Sequence, residues 1–587
     1  MQLQLPYREL YSRPSVQVAL CQDPPKHPGV HSFECPCCPD CSICGPGNPA
    51  VTRADNIKNI PSVRTSYREE ESSDPPLDKN TKVCIIGAGI AGLYLALILQ
   101  DLEIPNLSWD ILEANRDRIG GRIYTHRFSE AHNDYYDVGA MRFPDIPIMS
   151  RVFDLFRRMQ VPLKKFEMRE RNTNTRGSDI SKTKDSPSAN LVSQCFGLYK
   201  KAMQKDFVQG FQLLIQADAM STREYLRGSH KSDFMTIQAA ESDTTGTGTF
   251  DQAFSESVMD SFDLDQSTTG SEDSGVVKWY SVDGGSSVVI ERMCHQISKS
   301  STIELGKQVR RIAINRSADL SVSCAGEKDA RDGYATVFST TPLACLQRID
   351  TSSLHLDPIQ EEAIRCLRYE DSTKVGIKFA YPWWIVDCGI RGGGAASTTL
   401  PSRTCVYPSN IAEQDWDQPA VLLASYTWGQ DASRMGALIS PSSASSDGGG
   451  DEGDDLLDLV LRDLVRQHQQ HGITYEKLQS LYRDHHAFCW GNSRFSSGAF
   501  ALFGPGQFTN LYPSLSLPAA DGKFHIVGEA SSVHHGWVIG SLNSAYVAVY
   551  RFLLRYGQQR AIQKLEKNWG TVHQLDLAGV ARLDTPN

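Results

Sequence analysis

The segment Lys82–Gly92, KVCIIGAGIAG, restricts the fold of this chain more than any other. Apolar Val83–Ile86 read as a buried strand, Gly87, Gly89 and Gly92 as a tight turn, and Leu93–Leu99 as the helix that follows. Without β-carbons, such a turn lets backbone N–H groups approach a pyrophosphate at the positive end of the helix. A second strand, Trp109–Leu112, ends in Glu113, the acid expected on ribose hydroxyls. A lone GxGxxG is weak evidence, but the flanking strand, helix and acid together describe a dinucleotide-binding βαβ unit.

At 587 residues the chain is too long for one core, so two or three structural units are expected. With 40% hydrophobic and 22% charged residues it reads as an ordinary globular protein. A formal charge of −10 argues against nucleic acid as a partner, because binding phosphate backbones needs a concentrated basic surface. The longest apolar candidate for a membrane span, Ile85–Leu99, is already explained by the strand, turn and helix, so no span is expected. The polar start MQLQLPYRELYSRP lacks a signal-peptide core and the final DTPN matches no common address, so an intracellular, by default cytoplasmic, location is expected.

Nine of the fifteen cysteines scatter from Cys84 to Cys489 without paired spacing and read as reduced core residues. Five of the other six crowd into CPCCPDCSIC, as Cys35, Cys37, Cys38, Cys41 and Cys44. The pairs Cys38–Cys41 and Cys41–Cys44 share a residue and cannot form two independent zinc knuckles, so no metal site is assigned.

The order of patterns predicts a Cys- and Pro-rich disordered lead over 1–78, then a dinucleotide-binding domain in three pieces, 79–150, 276–345 and 501–556. A helical domain over 151–275 and a substrate-binding domain over 346–500 separate the pieces, and 557–587 is read as a C-terminal tail. Polar stretches Arg171–Asn190, Gln266–Gly275 and Pro441–Asp455 read as surface insertions. Strands are expected near Val276–Val282, Tyr334–Ser339, Lys374–Ala380, Val421–Tyr426 and Lys523–Val527, and helices at Leu456–Gln469 and from Ile539.

Just after Glu113 comes Arg118-Ile119-Gly120-Gly121-Arg122. Its paired glycines permit close backbone approach, and Arg122 offers a forked donor to a phosphate. Nicotinamide-dependent dehydrogenases do not need this second element, which points to FAD. With its RxGGR segment, the chain resembles the flavin amine oxidase family. Asp137-Val138-Gly139-Ala140-Met141-Arg142-Phe143-Pro144 is similar to the GAMR or GPMR segment of L-amino-acid oxidases. A substrate carboxylate buried beside an apolar flavin needs a fixed cation with two-pronged donors, and Arg142 supplies one.

The resemblance covers about residues 78–555 and is strongest to fungal L-amino-acid oxidases, including those acting on basic amino acids. It implies an α/β fold: a Rossmann-like, glutathione-reductase-type FAD domain assembled from separated segments, with a substrate domain and a helical insertion. It implies that Arg142 and Tyr407, in SRTCVYPS, hold the substrate carboxylate. Lys374, in DSTKVGIKF, would reach a water beside flavin N5 and act in the reaction with oxygen. Gly536 and Trp537 would touch substrate, while Trp383 and Trp384 either wall the site or pack in a core. FAD itself would meet Gly87, Gly89, Ile90, Ala91, Gly92, Glu113, Ala114, Arg122, Gly139, Ala140, Met141 and Arg142. It would also meet Val309 at adenine, Glu529 at the ribityl or diphosphate region, and Gly536, Trp537, Val538 and Ile539 at the second helix start.

One departure is that the histidine base proposed in snake-venom members has no convincing counterpart, and His230 is not nominated for it. His534 and His535 are read as structuring their turn. Asp218, Asp263 and Asp265 could meet a basic substrate or be exposed helix acids. The implied reaction takes an L-amino acid and O2 to a 2-oxo acid, ammonia and hydrogen peroxide, with the α-hydrogen passing as hydride to flavin N5. FAD is expected to be bound non-covalently, and a homodimer is expected by analogy. The alternatives are an amino-acid 2-monooxygenase, which decarboxylates to an amide, and an amine or polyamine oxidase.

Overall fold

A computed structural model describes residues 81–168, 187–243, 246–264, 277–297, 302–439 and 454–575, together with Leu77 and Leu577. The cysteine cluster, Asp265 and most of the three polar insertions lie outside the described residues.

The strand Thr81–Ile86 is buried almost throughout, as both faces of a parallel sheet require. It pairs in parallel with Leu107–Leu112 on one side and Arg331–Ser339 on the other. Thr302–Glu304 extends the parallel sheet beyond Leu107–Leu112, and Phe524–Ile526 pairs in parallel with Arg331–Ser339. Leu320–Cys324 and Val309–Ile314 complete the seven strands in antiparallel fashion. Strands from three distant stretches of chain therefore share one sheet. The helix Ile90–Leu102 covers it, apolar nearly all round because it is buried between the sheet and the helix Val538–Arg555.

A second, antiparallel sheet runs in the order Gly394–Ser397, Thr404–Tyr407, Ala420–Trp428, Ser372–Phe379, Tyr482–Cys489. Its two faces are distinct. Val375, Ile377, Cys405, Tyr407, Leu422 and Ala424 point to a core closed by the helix Asp455–Gln467. Val406, Val421 and Leu423 point the other way, toward Tyr136, Val138 and Trp490. This alternation is the period of two that any strand imposes.

Between the two parts of the first sheet lie the helices Pro187–Lys205, Phe207–Ile215, Thr222–Ser229, Phe234–Asp243 and Phe254–Leu264. The stretch 151–275 is not wholly helical, because Leu163–Phe166 pairs with Trp279–Val282 and so ties its start to residues beyond it. The C-terminal stretch is also more than a tail. Gln559–Trp569 is a helix whose Ala561, Ile562 and Leu565 join the core of the first sheet. Trp569 meets Tyr94 edge-on at 5.2 Å. No helix among the described residues is long and apolar enough to cross a membrane. The nine cysteines from Cys84 to Cys489 form no disulfide.

Candidate active site

One continuous cleft opens where the parallel strands end and is bounded on its far side by the second sheet. Gly87, Gly89, Ile90 and Ala91 line it from the first turn, and Gly536, Trp537 and Val538 from the second. Both helices begin there without help. Neither Gly89 nor Trp537 caps its helix with a side chain, and neither first turn carries an acid. Two helix N-termini with unclaimed N–H groups at one cleft make a site for an anion.

The first turn and the RxGGR segment nearly touch: a β-carbon on Gly121 would stand 3.3 Å from the Gly89 Cα. Gly87 has φ +104°, where a side chain would also collide with Thr340 Oγ1 at 2.5 Å. Bare backbone thus faces the cleft over the length a diphosphate needs. Gly92 serves differently. A β-carbon there would lie 2.1 Å from the Gly87 carbonyl oxygen, so it seats the helix on the turn rather than lining the cleft.

Glu113 is buried at the cleft, where its carboxylate accepts the Ala88 and Asn115 N–H groups, both at 2.8 Å. Burial pushes its carboxyl pKa upward. Ala114 lies beside it, and Lys307, Gln308 and Val309 line the same end of the cleft. Arg122 donates to Glu529 Oε1 at 2.7 Å and to the Ala499 carbonyl at 3.0 Å. Burial alone would raise the Glu529 carboxyl, but the Arg122 charge holds it below the usual range. Glu529 also accepts the N–H groups of Ala501 and Gly536 at 3.0 and 3.3 Å, so one carboxylate ties the RxGGR segment to the C-terminal turn.

Lys374 lines the opposite wall. Its Nζ donates to the carbonyls of Asp137 and Gly139 at 2.9 and 2.7 Å and lies 4.5 Å from the Tyr426 ring centre. Burial pulls its pKa down to about 7, against the nearby Asp137 carboxylate and with the help of Arg142. Gly139 and Ala140 also line the cleft. Met141 is buried among Tyr136, Val138 and Trp490, and Ile539 lies in the core beneath the second helix start.

Arg142, three residues beyond Gly139, does not itself line the cleft. Its guanidinium stands 5.7 Å from the Trp279 ring, which leans on Trp537 at 6.3 Å, and its Nη1 reaches the Met168 sulfur at 3.4 Å. It forms no ion pair with a carboxylate among the described residues. Burial lowers its proton affinity, with Tyr426 and Asp260 opposing. A half-buried cation without an anion is costly, and a ligand carboxylate would relieve it.

Tyr407 requires a correction. Strand alternation turns it away from the cleft into the outer core, where its hydroxyl meets His468 Nε2 at 2.7 Å. The tyrosine on the cleft is Tyr426, directly opposite Lys374 in the strand register. The pairing depends on a register shift between Val375 and Gly376, without which Tyr426 would face outward with Leu422 and Ala424, so no local sequence pattern shows it. Trp383 and Trp384 are likewise fully buried in the outer core and do not wall the cleft. Sequence reasoning also missed Trp490, whose indole donates to the Val138 carbonyl at 3.2 Å, and the Thr340–Pro342 loop.

The acids of the helical region divide sharply. Asp263 pairs with His534 and Glu256 with His535, each at 2.9 Å and buried, so these histidines do hold the turn. Asp218 is buried on Ser255 and Thr509 and cannot meet a substrate. Asp260, which sequence reasoning passed over, is exposed and has no hydrogen bond or ion pair among the described residues. Burial, with Glu256 and Asp263 nearby, raises its carboxyl to about 7 against the field of Arg142.

A parallel sheet with two glycine-lined turns, two uncapped helix starts and a ribose acid defines a dinucleotide-binding flavoenzyme. A family model described as flavin containing amine oxidoreductase matches residues 90–552, and the chain belongs to that family. Its cofactor is FAD, which the cleft's glycine turns, Glu113 and Arg122 fit. The chain is 37% identical over 85% of its length to a Dictyostelium discoideum protein provisionally named a bifunctional amine oxidase, and it spans 48% of that relative. It is 34% identical to L-amino-acid oxidase 4 of Hebeloma cylindrosporum, over 82% of this chain and 83% of the relative. Cyclohexylamine oxidase from Brevibacterium oxydans shares the fold, with a TM-score of 0.60 at 18% identity over 83% of this chain and 99% of the other.

Proposed function

We propose that this enzyme oxidatively deaminates L-amino acids to 2-oxo acid, ammonia and hydrogen peroxide. The observation that carries the reading is Arg142, which has no ion pair with a carboxylate among the described residues and stands on Trp279, the neighbour of the cleft residue Trp537. An amine lacking a carboxylate has no use for that charge. The bound FAD supplies the acceptor for two electrons and their onward transfer to oxygen. The chain's own residues do the rest. Arg142 takes the carboxylate in a two-pronged contact, Tyr426 adds a hydroxyl donor, and Trp537 walls the carbon skeleton. A substrate pinned at its carboxylate presents its α-hydrogen to the cleft in one enantiomer only.

Lys374 stands where a proton is needed. With two of its N–H groups on the Asp137 and Gly139 carbonyls, the ammonium presents a third N–H to the cleft and the neutral amine a lone pair. Asp260 biases the site toward side chains that end in a cation.

The reading is tested by mixing the twenty L-amino acids with the yellow protein without air, then analysing products in air. We expect bleaching by L- but not D-isomers, fastest with lysine or arginine, and peroxide with the 2-oxo acid as products. An amide product would establish a monooxygenase instead, and bleaching by simple amines alone would establish an amine oxidase.

The two tyrosines separate in the same assay. Tyr426→Phe is expected to lose a hydrogen bond to a charged group, about 1.5–3 kcal/mol, or roughly ten- to 150-fold in kcat/KM. Tyr407→Phe is expected to leave kcat/KM unchanged and cost about 1 kcal/mol of stability, because its hydroxyl meets His468 in the outer core and not the cleft. The reverse pattern would return the substrate to Tyr407.

A further inference from the structure

We propose that seating a substrate carboxylate on Arg142 draws a proton onto Lys374, with Asp137 as the fixed counter-charge that sets the pH window. This inference rests on the carboxylate role given to Arg142 above.

The geometry makes the two side chains parts of one device. The carbonyls that hold Lys374 Nζ belong to Asp137 and Gly139, and the same short loop carries Arg142. Arg142 is therefore tied through a few backbone bonds to the groups that hold Lys374. The charges that face Lys374 are few. On its own strand Lys378 is paired with Asp134, the Tyr482–Cys489 strand presents His486, which burial keeps neutral, and the Ala420–Trp428 strand presents the Tyr426 ring, whose ionisation burial suppresses. Asp137 favours the ammonium form and Arg142 opposes it.

Burial pushes the Asp137 carboxyl above its ordinary range, opposed by hydrogen bonds from Thr125 and Ser286 and by the Lys374 charge. Its Oδ1 accepts from Thr125 Oγ1 at 2.6 Å and from the Ser286 N–H and hydroxyl at 2.8 and 3.0 Å. It is therefore held at the start of the helix Ser287–Gln296, where a negative charge is favoured. Arg142 is the variable partner. A ligand carboxylate on its guanidinium cancels the charge that repels a proton from Lys374, while Asp137 stays in place. The step moves one proton and no electrons. With an amino acid the donor is the substrate's ammonium, which must lose a proton before its α-hydrogen can leave as hydride. With a carboxylate that has no amine, the donor is the buffer.

That second case gives the test. The holoenzyme is titrated with 3-phenylpropanoate at pH 8 in two buffers of different ionisation enthalpy, so that proton uptake is read separately from binding. If cancelling the Arg142 charge raises Lys374 by on the order of one pH unit, wild type takes up roughly 0.4 proton per site. Lys374→Met should bind the carboxylate with no uptake, and Asp137→Asn should move the uptake to lower pH. If Lys374→Met does not fold, wild-type affinity alone decides, because it must weaken roughly tenfold as pH rises through the window. Binding by wild type without proton uptake, or uptake that survives Lys374→Met, overturns the coupling and leaves the carboxylate site standing. Absence of binding, or binding that survives Arg142→Ala, overturns the carboxylate site and the coupling with it.

Discussion

Arg142→Ala is expected to lower kcat/KM for every L-amino acid by roughly thirty-fold to several-thousand-fold. A substrate carboxylate left without its cation beside an apolar wall loses on the order of 2–5 kcal/mol. At about 1.4 kcal/mol per decade this gives the stated range. Flavin content should not change, because Gly87, Gly89, Glu113 and Arg122 line the cofactor cleft independently of Arg142. Stability should hold or rise, since the substitution removes a partly buried charge that has no anion among the described residues. Arg142→Lys should recover only part of the loss, because an ammonium cannot make the forked contact. Steady-state kinetics on the flavin-replete variant measures this, and near-normal kcat/KM would reopen the amine-oxidase reading.

Glu529→Ala is expected to damage the protein itself. Removing this buried carboxylate strands the Arg122 guanidinium and the N–H groups of Ala501 and Gly536 in one place. Breaking a buried pair in this way costs about 3–5 kcal/mol. The lost contacts join the RxGGR segment to the C-terminal turn, so FAD retention should fall along with thermal stability. Glu529→Gln keeps an acceptor for the two N–H groups and should lie between wild type and alanine. The ratio of flavin to protein absorbance after purification, read beside the melting temperature, checks both. Full flavin content in Glu529→Ala would show that Arg122 finds its role without this partner.

Much of the cofactor site was legible in the chain because it is local. Gly87 and Gly89, the strand before them and the helix after them lie within one short stretch, and each type of residue is demanded there by backbone geometry. Glu113 follows its strand directly, and Arg122 follows a pair of glycines. Such signals survive without knowledge of the fold, since neighbouring residues are positioned by the local dihedral angles alone. Arg142 was singled out for a chemical reason: a buried carboxylate ligand would call for a forked cation.

Tertiary pairing decided the rest. Whether Tyr407 or Tyr426 faces the cleft depends on strand register, where a shift of one residue reverses the face, and sequence alone does not fix that register. Trp383 and Trp384 looked equally suited to a wall or a core until the helix Asp455–Gln467 closed over them. Of the acids in the helical region, Asp218 and Asp263 have internal partners and Asp260 has none among the described residues, and Thr509 and His534 reach them from hundreds of positions away. The sequence by itself determined the dinucleotide turn, the acid that follows its second strand and the glycine pair of the RxGGR segment, because these are fixed by local backbone geometry. The lowered proton affinity of Lys374, its two carbonyl partners and the choice of tyrosine were decided only by the tertiary structure, because burial and long-range pairing exist only once the chain has folded.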